Sequence, residues 1–410
     1  MCTPLQRLRN LVSNLGPGLV AGASDNDPTS VATLSVIGSA TAYGLLWLLV
    51  LILPMLLSIQ VISSRVGLVT GRSLQRVILT RFGRFWAMVS LLFVVAVDVV
   101  TIAADLEGGA AALSILLGRS WQTYVLPLAV LSAVLLVLGR YRGVQRYLRF
   151  VLFVFVAYIG AGLLAHPDWG EVLRSTFVPS FELTAEYVAG ALALLGTTLT
   201  SYVYFWETIE EEEERFPRLR LRAVQTDAAI GIVFTTIIFW FILVTSASTV
   251  GKAGVRVQTA QEAAQTLAPL AGIYAEGLFA LGLLASSLLA LPVLAATTAY
   301  VSVQSFNRRG SIEEPISPET KWFYLVIVLS LATGAGVSYL GIQPIQLLFL
   351  ASIVRGLGTP LLLILLLKAA ADELVMGEYR VRGLLGIAGW FTAVVVSLAA
   401  VVYIAFQLWP

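Results

Sequence analysis

The chain has 410 residues, of which 58% are hydrophobic and 12% charged, and its mean hydropathy is +0.88; a soluble domain carries about 25% charged residues, so a soluble protein with one anchor is excluded. The formal net charge of +2 implies no nucleic-acid partner, and the one cysteine, Cys2, excludes an internal disulfide. Apolar runs of membrane-spanning length recur along the whole chain, the mark of a polytopic membrane protein.

Residues 1–24 carry Arg7, Arg9, an apolar core and an Ala-Gly-Ala triplet, as a signal peptide would. Cleavage there would cut the first hydrophobic segment in half, so the segment is read as a span. Eleven helical spans are predicted near 12–42, 44–66, 85–117, 121–139, 144–165, 183–215, 221–250, 259–306, 319–340, 343–371 and 384–408. No stretch reads as a strand, and only helices or closed barrels cross lipid. The longest polar connections are 166–182, 251–258 and 307–320. Connections on the N-terminal side are rich in arginine and lysine: Arg65, Arg72, Arg76, Arg81 and Arg84; Arg140, Arg142, Arg146 and Arg149; Arg308, Arg309 and Lys321. The opposite connections hold Arg119, Arg174, Lys252 and Arg256. This bias puts the N-terminus in the cytoplasm and the C-terminus outside, in the plasma membrane of a prokaryote.

Two spans are interrupted. The first contains SDNDPTS, with Asp25 and Asp27 near the middle of an apolar stretch. Asp27 followed by Pro28 reads as the cap and first residue of a helix, so one helix ends near Ser24 and another begins at Pro28. The sixth span contains GTTLTS, where Gly196 is flexible and Thr197, Thr198, Thr200 and Ser201 can satisfy freed backbone groups. Ordinary kinks are the bland reading, and it fits the sixth span better than the first, because carboxylates inside a membrane are costly. These spans lead two possible five-span halves, 12–165 and 183–371, with 384–408 left over. Breaks at matching positions of two halves point to a transporter site at the membrane midplane. The only histidine, His166, falls in a loop, and no methionine falls in either break. Carboxylates, amides, hydroxyls, carbonyls and water remain, a donor set that suits hard cations such as Mg²⁺, Ca²⁺ and Mn²⁺.

The segment GPGLVAGASDNDPTSVATLSVIGSATAYGLLW resembles the first helix of the NRAMP divalent-metal transporters. Asp27 and Pro28 match that family's Asp-Pro-Gly-Asn, while Thr29 and Ser30 replace Gly and Asn. GTTLTSYVYFWET falls on the family's sixth-helix motif, with Thr200 where the metal-binding Met belongs, Ser201 at its Pro and Tyr202 at its His. ADLEGGAAAL resembles the acidic segment of the third helix, with Glu107 at the usual Glu. RVGLVTGRSL and GLLASSLLALPVLAATTAY extend the likeness over nearly the whole chain. The missing thioether is shared with the NRAMP-related magnesium transporters. The resemblance implies an all-α, LeuT-type fold of 5+5 inverted repeats with broken helices 1 and 6, plus an eleventh helix. It implies a monomer in the lipid bilayer that needs no cofactor and transports a divalent metal ion, Mg²⁺ or Mn²⁺. It also implies a metal site at Asp27 with Ser30, Thr197 and Thr200, some contacts running through water, and Asp25 beside it.

Asp98, Asp105 and Glu107 share the third span, Asp98 and Asp105 on one helical face. They read either as a proton or ion pathway or as a buried network paired with Arg355. Arg355 lies inside the tenth span, where the related branch has a polar amide; a buried guanidinium needs a carboxylate partner, so it reads as a structural or gating ion pair. Glu207 is assigned to the cytoplasmic exit, and the acidic run Glu210 to Glu214 to a solvated helix end. Three competing functions remain. A sodium-coupled carrier of a neutral or cationic solute is the alternative on the same fold. A metal sensor would be expected to carry a soluble output domain, and none is visible. An enzyme would need a nucleophile–base pair or a cofactor motif, and neither appears.

Overall fold

In lipid the backbone must satisfy its own hydrogen bonds, and the elements follow that rule. The structure, a computed structural model, describes residues 27–138, 152–214 and 221–408, and every regular element among them is a helix. In chain order these are α1 (Pro28–Thr41), α2 (Leu46–Thr70), α3 (Leu74–Phe82), α4 (Arg84–Leu117), α5 (Gln122–Val137), α6 (Ala157–Leu164), α7 (Trp169–Phe177), α8 (Ala185–Thr198) and α9 (Ser201–Glu214). There follow α10 (Leu221–Ser246), α11 (Ala260–Ala264), α12 (Ala268–Ala271), α13 (Ala275–Ser305), α14 (Lys321–Val337), α15 (Pro344–Ala371), α16 (Glu373–Met376) and α17 (Gly383–Leu408). Among the described residues, eight helical stretches are long and apolar enough to cross a membrane. Shorter apolar helices at Gln122–Val137 and Val154–Leu164 occupy the fourth and fifth expected spans. The first span is represented by α1; Asp25 and the bend expected before Asp27 lie outside the described residues.

Several expectations are revised. The sixth span does break, but at Leu199 and Thr200, between α8 and α9. Gly196 is not a hinge. It sits inside α8, where a Cβ would lie 2.1 Å from the Ser352 carbonyl and 2.4 Å from the Gly356 nitrogen. Only a bare backbone on both helices lets α8 and α15 come this close. The eighth span is also divided. Thr259 and Glu262 form a capping box that starts α11, and Gly272, at φ +52°, ends α12 before α13 begins. Connections read as loops contain amphipathic helices. α3 buries Leu74, Val77 and Ile78, and α7 is capped by Asp168, which accepts from the Gly170 and Glu171 amides.

Helix α1 is buried on nearly every side from Pro28 to Ser35. It is enclosed by α8, α10, α15 and α4, and its buried hydroxyls find partners there, Thr29 on Asp105, Ser30 on Thr197 and Thr33 on Ser352. The α8–α9 stretch is 83% buried over its apolar window, whereas α17 is 28% buried. α17 is therefore a peripheral helix that turns Leu384, Ile387, Phe391, Val394, Leu398 and Val401 outward.

Candidate cation site

Asp27 sets the site. Its extended backbone (φ −71°, ψ 164°) precedes Pro28, which has no N–H to satisfy at the first helical position. The free amide of Ser30 donates to Asp27 Oδ1 at 2.7 Å, and the Ser30 hydroxyl donates to the same oxygen at 2.7 Å. Oδ2 receives Arg355 Nη1 at 2.7 Å, and both side chains are buried, 1% and 0% exposed. The expected cation ligand thus already holds a cation from its own chain. Arg355 Nε donates to Thr101 Oγ1 at 3.1 Å, and the guanidinium carbon lies 5.3 Å from the centre of the Tyr202 ring. Arg355 Nη2 meets no hydrogen-bond partner among the described residues.

The start of α1 meets the break of the sixth span here. Ser30 Oγ lies 2.8 Å from Thr197 Oγ1, which joins the start of α1 to the last turn of α8. At the break, Thr359 donates to the Leu199 carbonyl at 3.3 Å, while the buried hydroxyls of Thr200 and Ser201 meet no partner among the described residues. Thr29 donates to Asp105 Oδ1 at 2.8 Å, and Asp105 Oδ2 has no partner among the described residues. Asp105 is therefore tied to the helix that Asp27 caps, and it lies within the field of both Asp27 and Arg355.

The remaining candidates lie apart from this junction. Asp98 accepts from Thr298 of α13 at 2.9 Å, so the two acids seven residues apart on α4 are anchored to different neighbours. Glu107 is fully buried, and neither of its carboxylate oxygens has a hydrogen-bond partner among the described residues. Glu207 accepts from Gln60 of α2 at 2.6 Å. Of the acidic run, Glu210 is exposed as a solvated helix end would be, but Glu211 to Glu213 are not. Glu211 is buried, and Ser64 donates to it at 3.4 Å. Glu212 takes the Ser73 amide at 2.9 Å, Gln304 at 3.3 Å and Arg76 at 2.8 Å. Ser311 donates to Glu213 at 2.8 Å and Tyr300 does so at 3.2 Å. These residues fasten α9 to α2, α3, α13 and the 311 loop.

Sequence reasoning missed Thr101 and the Thr33–Ser352 hydroxyl pair, 2.7 Å apart. Thr101 had a signal, since it stands one helical turn before Asp105. Thr33 and Ser352 lie between the Asp27–Arg355 pair and a cavity of about 340 Å³ lined by Val36, Ile37, Ala189, Gly190 and Phe349. The exposed pair Glu186–Arg256 stands at its rim. Among the described residues no group of three or more His, Cys, Asp or Glu is placed to hold a metal. A cation at Asp27 would be held by one carboxylate, hydroxyls, carbonyls and its own water.

Residues 18–406 match the family model described as natural resistance-associated macrophage protein-like. The divalent metal cation transporter MntH of Aeromonas hydrophila is 28% identical over 380 residues, which span 89% of each chain. A crystal structure of the Eremococcus coleocola manganese transporter superposes with a TM-score of 0.78 at 17% identity, over 99% of this chain and 89% of that one. Mhp1, a nucleobase-cation-symport-1 family transporter in a closed conformation, superposes with a TM-score of 0.61 at 14% identity, over 95% and 93%. The fold is therefore the all-α, LeuT-type transporter fold with interrupted helices, and the chain is a multi-pass membrane protein.

Proposed function

We propose, since the chain belongs to the Nramp family of divalent-metal transporters, that it carries Mg²⁺ and Mn²⁺ toward the cytoplasm by alternating access around Asp27. The family moves ions and is not a family of enzymes, and the metal is cargo rather than cofactor. The observation that carries this reading is the meeting of the start of α1 with the end of α8, Ser30 Oγ against Thr197 Oγ1 at 2.8 Å beside the Asp27 carboxylate. A spanning helix opens its backbone only where protein or a water-lined path can satisfy it. In this reading Asp27 binds the ion directly, and Ser30, Thr197 and Thr200 contribute oxygens or hold its water. Mg²⁺ dehydrates reluctantly, so one carboxylate with hydroxyls and retained water suits it. The absence of a thioether at Thr200 removes the ligand that would favour softer metals.

The pathway would descend from the cavity at Val36, Ile37 and Phe349, past Thr33 and Ser352, to Asp27. Arg355 would act as the gating pair, because the entering ion must displace its guanidinium from Oδ2. Residues 12–165 and 183–371 would form the inverted repeats of one transporter domain, with 384–408 outside them. The N-terminus would face the cytoplasm, and a monomer would suffice. A sodium-coupled carrier of organic solutes would share the fold, but the Nramp match and the metal-transporting relative favour the metal. Uptake of Mn²⁺ and Mg²⁺ by proteoliposomes, compared with sodium-driven solute uptake, tests the choice.

A further inference from the structure

An empty carrier must return across the membrane, and a bare buried carboxylate would oppose that step. A second transported cation is one remedy, and this chain carries another. Arg355 is fully buried and bonded to Asp27 Oδ2. It is held at Nε by Thr101, while Nη2 has no partner among the described residues. Asp105 lies on the same helix as Thr101, one turn further on, and its Oδ2 likewise has no partner among the described residues. Thr29, two residues from Asp27, already ties Asp105 to α1. The guanidinium therefore has Asp105 as well as Asp27 within its field; its charge also reaches Asp98 of the same helix, which is already bonded to Thr298.

We propose that Arg355 is a tethered counter-cation, which neutralises Asp27 in the empty carrier and turns to Asp105 Oδ2 when a divalent ion takes Asp27. This rests on the reading that Asp27 binds the transported ion. No bond is made or broken covalently; the ion and the guanidinium exchange places on one carboxylate. The positive charge stays with the protein, so the empty carrier returns without a second ion. Arg355 is thus a positioning residue for the transport cycle, and it separates two kinds of flux. Exchange of Mn²⁺ for Mn²⁺ does not require the empty carrier to cross the membrane. Net uptake requires that crossing once per cycle.

The test compares both fluxes in proteoliposomes of the full chain, with Mn²⁺ as the probe. In Arg355→Gln, net uptake should fall by about 100-fold, the consequence of leaving a buried carboxylate without its charge partner. Exchange into vesicles preloaded with Mn²⁺ should keep most of the wild-type rate. Arg355→Lys should restore net uptake. Equal loss of both fluxes, or undiminished net uptake in Arg355→Gln, overturns the proposal. Asp105→Asn keeps the inference falsifiable if Arg355→Gln does not fold. Losing the alternative seat for the guanidinium should raise the half-saturating Mn²⁺ concentration about tenfold, and an unchanged value overturns the switch. A wild type that shows neither exchange nor net uptake refutes the metal-carrier reading itself.

Discussion

Arg355 Nη1 donates to Asp27 Oδ2 at 2.7 Å across two helices that are far apart in sequence, with both side chains sealed from solvent. Removing one member of such a pair leaves an uncompensated charge, at a cost of about 3–5 kcal/mol. Arg355→Ala and Asp27→Ala should each lower the melting temperature in detergent. The double variant should melt above either single one, because it removes both charges. Additive losses in the double variant would show that the pair does not bear on stability. Asp27→Asn, which keeps the acceptor oxygen for Ser30, is the gentler probe of binding.

Selectivity should follow the donor atoms. Thr200 offers a hydroxyl at the α8–α9 break that has no partner among the described residues, and it stands where the family's thioether would be. Wild-type vesicles should therefore take up Mg²⁺ and Mn²⁺, with no large advantage for Cd²⁺. Thr200→Met should move the preference toward Mn²⁺ and Cd²⁺. A wild type that strongly prefers Cd²⁺ over Mg²⁺ in competition assays contradicts this.

Close packing should matter at Gly196. A methyl group there meets backbone atoms of Ser352 and Gly356, which cannot turn aside as a side chain would. Gly196→Ala should destabilise the protein at the upper end of the 1–3 kcal/mol typical of about one extra methylene in a packed core. It should also disturb transport, because α15 carries Arg355. A variant that melts with the wild type would mean that the two helices separate at little cost.

Proton coupling should be weak or absent. Glu207, the sixth-span carboxylate available as a relay, is bonded to Gln60 of α2. Tyr202, at the family's histidine position, packs against the Arg355 guanidinium, and a phenol ordinarily titrates near pH 10, a poor relay at neutral pH. A pH dye inside metal-free vesicles should report little acidification when Mn²⁺ or Mg²⁺ enters. Acidification that tracks metal entry and disappears in Glu107→Gln or Glu207→Gln would contradict the expectation.

Much of this was legible in the chain. Asp27 with Pro28 specified a helix start in local chemistry, a cap oxygen and a residue without an N–H, and the sixth-span break fell within four residues of Gly196. The role of Gly196 was not legible, since a glycine that permits contact and one that permits bending have the same composition. Arg355 announced a need for a carboxylate, but three acids on α4 and one on α1 met that need equally well in sequence. Only the crossing of α1, α4 and α15 selects Asp27. Glu211 to Glu213 of the acidic run misled because charge suggests solvent, while Ser64, Ser73, Gln304 and Ser311 come from elements distant in the chain. Hydropathy likewise ran through Gly272, because a turn defined by a positive φ leaves no mark on an apolar average.

The central claim is that Asp27 holds the transported ion, and Mn²⁺ entry into vesicles loaded with a metal-quenched dye tests it most directly. Wild-type vesicles should quench rapidly when Mn²⁺ is added outside. Asp27→Asn vesicles, reconstituted with protein that elutes as a folded species, should quench no faster than protein-free ones. Equal quenching by wild type and Asp27→Asn would contradict the account.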